Sequence, residues 1–212
     1  MAEFYRIQNG VLEEYTGREE VISIPQGIHT IGEGALKGCV SLKRVALPPG
    51  LQRIMGSAFK GCRKLEEVEI PEGVFHIGSY AFHRCHSLKR VKVPASVEEL
   101  GECAFLYCDS LQEARIPGVK RLGTQAFAND MHLEKLEVSG ALEEDCICDV
   151  FTGCGRVTEI SFAEGGCWLM PNVVEVAAGA MEVPSLVRRI VMDILRMMEL
   201  EGRSMVRYLV NI

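Results

Sequence analysis

Cysteines recur at a fixed interval along this chain. Cys39, Cys62, Cys85 and Cys108 stand 23 residues apart, and the residues around them recur in step. The unit is clearest in residues 65–85, LEEVEIPEGVFHIGSYAFHRC, which has the form L-x-x-V-x-I-P-x-G-V-x-x-I-G-x-x-A-F-x-x-C. A unit of this length cannot bury its own apolar face, so successive units must stack. The repeat therefore predicts a solenoid of about seven coils, each of ~23 residues.

Each coil is predicted to contain a strand, a turn and an opposite wall. The V-x-I alternation predicts a short strand whose apolar side chains face the core, as in Val68 and Ile70. Pro71 and Gly73 then end the strand in a tight turn. Gly101 and its equivalents are expected to supply a positive φ or a close backbone approach. The A-F-x-x-C-x-x-L spacing predicts a short helical segment on the opposite wall, and the strands of successive coils form one parallel sheet.

The repeat divides the chain into three parts. Residues 1–19 are predicted to be an N-terminal hairpin lead-in with its turn at Asn9-Gly10. Residues 20–165 form the leucine-rich-repeat solenoid. Residues 166–212 lack the repeat but carry apolar residues at helical spacing, which predicts a helical C-terminal cap.

This unit resembles the repeat of the bacterial BspA-like (Treponema pallidum-type) leucine-rich repeat family, which has the form L-x-x-I-x-I-P-x-x-V-x-x-I-G-x-x-A-F-x-x-C. The resemblance covers roughly residues 20–165, and the opening YRIQNGVLEEYTGREEVISIP is similar to the family's N-terminal lead-in. It implies an α/β leucine-rich-repeat solenoid with a parallel strand sheet on one face. Family members are often cell-surface or secreted proteins that engage host proteins or other cells, so the resemblance also implies a binding scaffold.

Composition limits the partners and the location that we expect. The formal net charge of -6 argues against binding to nucleic acid or an anionic membrane through bulk charge. No stretch approaches the ~20 apolar residues that insertion across a bilayer requires. The opening MAEFYRIQNG has no basic start followed by an apolar run, and the nine cysteines are odd in number, so we expect a cytoplasmic protein with reduced thiols. The alternative is a secreted or cell-surface protein whose true N-terminus is missing.

The cysteines and histidines do not form a pattern typical of a catalytic or metal site. The cysteine ladder fits a buried apolar filler better than disulfides or metal ligands, since no second ligand type recurs beside it. Cys103 differs, because its column otherwise holds Gly, Ser, Tyr, Gln and Asp, which suggests a partly exposed thiol. His83 and His86 are interpreted as part of a solvated face. With no catalytic motif in the sequence, we expect no enzymatic activity, no cofactor and no metal.

The outward side of the V-x-I strands, which we call the sheet face, carries the candidate binding residues. One of its rows changes charge sign at every coil, which favours correct register because opposite charges on neighbouring strands attract. This row consists of Arg44, Glu67, Arg90, Glu113, Lys135 and Glu159. In the middle row, Lys92 and Arg115 are adjacent and alike, which costs stability unless an acidic group offsets it. We therefore predict that Lys92 and Arg115, with Arg90 on the same strand as Lys92, bind an acidic segment of a protein partner.

These observations favour a non-catalytic scaffold for protein interaction that uses the sheet face and the adjoining loops. We expect it to be a monomer or a weak homo-oligomer. The C-terminal segment is predicted to cap the last coil and, secondarily, to contact a partner. The alternative is a surface or adhesion module of BspA-like type that engages host or cell-surface proteins.

Overall fold

The chain is a β-solenoid of about six turns, slightly fewer than the repeat count predicts. The computed structural model describes residues 4–139, 149–154, 156–162, 167–169 and 190. One continuous hydrophobic core runs through the stacked coils. Within the described residues, no helix is long and apolar enough to cross a membrane.

Fifteen short strands define the walls of the solenoid. In chain order they are β1 (Tyr5–Gln8), β2 (Val11–Tyr15), β3 (Val21–Ser23), β4 (Thr30–Ile31), β5 (Arg44–Ala46), β6 (Arg53–Ile54), β7 (Glu67–Val68), β8 (His76–Ile77), β9 (Arg90–Lys92), β10 (Glu99–Leu100), β11 (Glu113–Ile116), β12 (Arg121–Leu122), β13 (Lys135–Val138), β14 (Glu159–Phe162) and β15 (Cys167–Leu169). All neighbouring strands pair in parallel except β1 with β2 and β14 with β15.

The first wall is the parallel ladder that the V-x-I pattern predicts. Its strands pair as a three-stranded sheet, β3-β5-β7, and as part of a five-stranded sheet, β15-β14-β13-β11-β9. Val68 and Ile70 are buried, as are Val91 and Val93 in the next coil, so the alternation places one side chain in the core and the next on the sheet face. This part of the fold agrees with the sequence prediction.

A second parallel ladder, which the sequence analysis did not predict, forms another wall. It runs β2-β4-β6-β8-β10-β12 and consists mostly of two-residue strands. In each strand of this ladder the second residue is apolar and buried, as in Leu100 and Leu122. In these two coils the residue before it, Glu99 or Arg121, is exposed. The expectation of a single sheet is therefore corrected, because the apolar residue before the glycine step belongs to a strand of its own.

The N-terminal lead-in is a hairpin that joins the second ladder. β1 pairs antiparallel with β2, and β2 pairs in parallel with β4. The turn lies at Asn9 and Gly10, whose φ angles are 49° and 71°. Two consecutive positive φ angles are typical of the tight turn that Asn-Gly favours. The predicted hairpin is present.

The third wall, which we call the turn wall, is made of the A-F-x-x-C segments and is not helical. Backbone hydrogen bonds link successive coils directly, as where the Phe82 amide donates to the Ala104 carbonyl at 2.7 Å. Within a coil the residues form consecutive turns, with the His83 amide donating to the Tyr80 carbonyl at 3.1 Å. Two positions in each of these turns have a positive φ, for example Arg84 at 61°. The predicted helical segment is wrong, because a left-handed residue cannot continue an α-helix.

Two columns of side chains fill the interior behind the turn wall. One is a stack of parallel rings at centroid separations of 5.0, 5.1, 5.2 and 5.9 Å, formed by Phe59, Phe82, Phe105, Phe127 and Phe151. The other is the cysteine ladder, whose buried thiols donate to carbonyls of the preceding coil. The Cys62 thiol donates to Leu36 at 3.1 Å and the Cys85 thiol to Phe59 at 3.3 Å. The ladder is therefore an interior filler.

The C-terminal segment is described only in part. The antiparallel strand β15 covers the edge of β14, and Ile190 is buried in the main core cluster. The rest of the predicted helical cap at 166–212 lies outside the described residues.

Candidate functional site

Strand register brings two of the predicted binding residues together on the sheet face. Lys92 on β9 pairs with Arg115 on β11, which pairs in turn with Glu137 on β13. Arg90 pairs with Glu113 two register positions earlier. The predicted adjacency of Lys92 and Arg115 is therefore present in the structure.

Arg115 is neutralised by two glutamates. Its Nε lies 2.6 Å from Glu113 Oε1, on the same strand, and 3.9 Å from Glu137 Oε2 on the next strand. The hydrogen bond to Glu113 and its negative charge raise the pKa of the Arg115 guanidinium above the usual value. With 51% of its side chain exposed, Arg115 is held in place but remains accessible.

Arg90 and Lys92 carry charge that the fold does not neutralise. The alternating charge row predicts that Glu113 balances Arg90, but Glu113 pairs with Arg115 instead. Among the described residues, neither Arg90 nor Lys92 has an ion-pair partner. Both are exposed, and they stand two residues apart on β9, so they project from the same side of the strand. The centre of the sheet face therefore presents two adjacent free cations.

A largely apolar trough lies on the same face, over β3, β5 and β7. It has a volume of about 490 Å³ and is lined by apolar side chains that include Val21, Ala46, Leu47 and Pro49, with Arg44, Glu67 and Glu69 as its charged residues. Val21 is 54% exposed, which is unusual for a large apolar residue on a strand. This trough was not predicted from the sequence. The sequence feature that could have indicated the trough is the pair of small residues, Ser23 and Ala46, in the middle row. Later coils carry charged residues at these positions.

The trough continues toward the N-terminal hairpin. A second open cavity of about 560 Å³ shares Val21 and Ser23 with it and extends to Phe4 and Tyr5 on the hairpin. Phe4 is exposed as well. The sheet face therefore offers a continuous apolar surface at one end and a cationic surface at its centre.

Two other sequence interpretations are wrong. Cys103 is only 2% exposed, because its side chain packs with Leu106 and Ala128 beneath Tyr80. Burial raises the pKa of its thiol, which makes it less reactive. His83 is 7% exposed and does not belong to a solvated face.

Side-chain chemistry in the described part of the chain offers no metal centre. No group of three or more His, Cys, Asp or Glu side chains there could hold a metal ion. The closest histidine–carboxylate contact joins His86 Nδ1 and Asp109 Oδ2 at 2.6 Å, between two neighbouring coils. The sheet face itself combines exposed charge with exposed apolar side chains.

Stacked parallel coils with this sheet face define a leucine-rich-repeat protein. The family model for the BspA type leucine rich repeat region matches residues 7–134 in six copies. This match covers more than half of the 212 residues, and the chain belongs to that family. Family members are typically protein-interaction or surface modules.

Solved structures of bacterial leucine-rich repeat proteins have the same fold. The T. pallidum leucine rich repeat protein is 29% identical, with a TM-score of 0.67, and the match covers 76% of this chain and 80% of that one. A leucine-rich repeat protein from Bacteroides ovatus is 27% identical, with a TM-score of 0.59, over 74% of this chain and 45% of that one. Among curated proteins, none matches this chain significantly.

Proposed function

We propose that this protein is a non-catalytic interaction scaffold whose sheet face and adjoining loops bind an acidic segment of a partner protein. The observation that carries the proposal is the pair of free cations on β9, Arg90 and Lys92, on the face that also holds a largely apolar trough. Unneutralised charge next to exposed apolar surface is typical of an interaction site. The family's typical use as interaction or surface modules supports the same function.

The three cations have different parts in this proposal. Arg90 and Lys92 supply positive charge that a partner carboxylate would neutralise, and the planar guanidinium of Arg90 suits a two-point contact. Arg115 is already fixed by Glu113 and Glu137, so it adds a preorganised donor rather than net charge. Because these groups are exposed, binding through them weakens as salt concentration rises.

A charge-removal variant tests the proposal. Arg90→Gln/Lys92→Gln removes both free cations without breaking an ion pair, and Lys37→Gln/Lys64→Gln is the control with the same charge change away from the sheet face. Partners captured from native extract by the wild type should be lost with the first variant and retained with the second. A captured partner whose affinity is unchanged by Arg90→Gln/Lys92→Gln, measured by titration calorimetry, would refute the proposed site.

We propose a cytoplasmic location. The described cysteines Cys39, Cys62, Cys85, Cys103, Cys108 and Cys154 are free thiols, which supports a reducing compartment. The alternative, a surface or adhesion module, is supported by the family's range of uses. Biotinylation of intact cells with a membrane-impermeant reagent distinguishes the two, because only a surface protein is labelled.

A further inference from the structure

Bulky side chains occupy left-handed backbone positions on one part of the turn wall. Tyr80, Arg84 and Tyr107 have φ angles of 60°, 61° and 62°. Left-handed conformations disfavour large side chains, and the other described coils use small or turn-forming residues at all but one of the equivalent positions. Those residues are Gly34, Gly38, Ser57, Gly61, Asn129, Asp149 and Gly153, and the exception is Gln125. Local backbone preference therefore does not explain why Tyr80, Arg84 and Tyr107 occupy these positions.

The bulky residues meet in one cluster, which we call the turn-wall patch: Lys60, Tyr80, His83, Arg84 and Tyr107. The Lys60 ammonium lies 4.9 Å from the centre of the Tyr80 ring, and the Arg84 guanidinium lies 5.9 Å from that of Tyr107. His83 lies between the two tyrosines, with ring centroids 5.6 Å from Tyr80 and 6.1 Å from Tyr107. Each cation is thus held over an aromatic face.

Positive charge in the turn-wall patch is not neutralised. In the part of the chain that the structure describes, neither Lys60 nor Arg84 has an ion-pair partner. His83 Nδ1 is buried without a hydrogen-bond partner. Burial, followed by the charges of Lys60 and Arg84, lowers the pKa of His83 to about 4, as expected next to positive groups. Glu102 is an acidic group nearby: the pKa of Tyr80 is raised first by its hydrogen bond with Cys103 and then by the charges of Cys103 and Glu102.

Aromatic surface adjoins these cations. Tyr80 is half-buried and packs on a small buried cluster of Cys103, Leu106 and Ala128, which supports its ring. Tyr107 is 38% exposed. The turn-wall patch therefore presents free cations and aromatic surface within the same two or three coils.

We propose that the turn-wall patch is a second docking site, which binds a short acidic peptide segment of a protein with an apolar side chain between its carboxylates. A long polyanion such as nucleic acid fits less well, because the net charge of -6 repels it beyond the patch. Coils spaced ~4.8 Å apart give the patch a length of roughly 10 Å, which three or four extended residues span. This site is on a different wall from the sheet face and does not depend on the proposed function.

The binding test uses two libraries of fluorescein-labelled hexapeptides. One places two acidic residues around a central leucine or aromatic residue, and the other has Asn and Gln in place of the acids. We expect the acidic library to give saturable anisotropy changes that Lys60→Glu/Arg84→Glu weakens about tenfold or more. Lys37→Glu/Arg63→Glu, with the same charge change outside the turn-wall patch, should keep the affinity within about threefold.

Three binding results would overturn the proposal. They are no binding of the acidic library up to about 1 mM peptide, equal binding of the two libraries, and equal losses in the two charge-reversed variants. A single-stranded oligonucleotide that binds more tightly than the acidic peptides would overturn the assignment to a peptide.

A stability test separates binding from packing. Tyr80→Ser and Tyr107→Asn introduce the residues that neighbouring coils have at these positions, Ser57 and Asn129. If the tyrosines serve binding, the double variant should lose peptide affinity about tenfold or more while its urea unfolding midpoint stays equal or rises. A lower midpoint would show that the rings stabilise the wall, and the inference would fail.

Discussion

Asp130 Oδ1 accepts a hydrogen bond of 2.8 Å from the Cys108 amide nitrogen, while Oδ2 is buried without a hydrogen-bond partner. Asp130 occupies the position at which Cys62, Cys85 and Cys108 place a thiol that donates to a carbonyl of the preceding coil. Burial raises the pKa of the Asp130 carboxyl well above its usual range. Asp130 therefore places a carboxyl group at a position where other coils have a thiol, which is a weak hydrogen-bond donor.

Replacing Asp130 by cysteine should stabilise the protein at neutral pH. The raised pKa of Asp130 means that its contribution to stability is complete below the unfolded-state pKa of about 3.9 and is lost as pH rises through the folded-state pKa. Asp130→Cys removes this loss of stability and restores the thiol donor. We expect its free energy of unfolding at pH 8 to exceed that of the wild type by about 1–3 kcal/mol. Urea unfolding at pH 5 and pH 8 measures the gain, which should be larger at pH 8. A gain that does not change with pH, or a loss of stability at pH 8, would contradict this account.

His83 should make the protein sensitive to mild acid. Its pKa is lowered to about 4, mainly by burial, while the unfolded-state value is about 6.5. The neutral imidazole thus contributes stability above the unfolded-state pKa, and this is lost as pH falls toward the folded-state pKa. His83→Leu, which copies Leu106 in the next coil, should reduce the stability lost between pH 7 and pH 5 by about 1–2 kcal/mol. Thermal unfolding at both pH values tests this, and an equal loss in wild type and variant would rule it out.

Much of the fold could be predicted because one pattern repeats. The V-x-I alternation predicted the first ladder correctly, and Val68 and Ile70 are buried there as expected. The second ladder was missed because its strands are two residues long and only one residue in each, such as Leu100, is apolar. The turn wall was misread as helical because its apolar spacing of three and four also suits a helix. Hydrophobic periodicity gives no information about the left-handed backbone at Tyr80 and Arg84.

The candidate site could be predicted only in part. Strand register follows from the repeat, so the adjacency of Lys92 and Arg115 was accessible from sequence. Which glutamate neutralises which cation depends on rotamers, and Glu113 turned out to pair along its own strand with Arg115 and not across to Arg90. The turn-wall patch could not be predicted without the backbone geometry of the turn wall. The sequence did contain one indication of it, because tyrosine occupies a position that holds glycine in another coil.

The phenylalanine stack should dominate the stability of the central coils. Phe105 is fully buried, and its ring centroid is 5.1 Å from that of Phe82 and 5.2 Å from that of Phe127. Phe105→Ala removes a buried ring and both stacking contacts, so we expect a loss of about 3–5 kcal/mol. Phe75→Ala is the matched control, since Phe75 is exposed and contacts Arg53 through a cation–π interaction that contributes about 0.5–1 kcal/mol. Equal losses in the two variants, measured by urea unfolding, would show that the stack adds nothing.

Gly101 should tolerate no side chain, because its backbone approaches the preceding coil too closely. A Cβ at Gly101 would lie 2.3 Å from the Ser79 amide nitrogen and 2.5 Å from the Gly78 carbonyl carbon, and backbone atoms cannot yield as a flexible side chain can. Its φ is not positive, so of the two roles expected for this glycine the close approach is the correct one.

Gly101→Ala should therefore destabilise the solenoid by more than about 2 kcal/mol, since the second ladder must open locally to admit the methyl group. Gly50→Ala is the control, because a Cβ there meets no atom within 4 Å and the φ of Gly50 is not positive. That change should be neutral or stabilise by up to about 1 kcal/mol through the entropy of the unfolded chain. Urea midpoints of the two variants that move down together would exclude close approach as the reason for glycine at position 101.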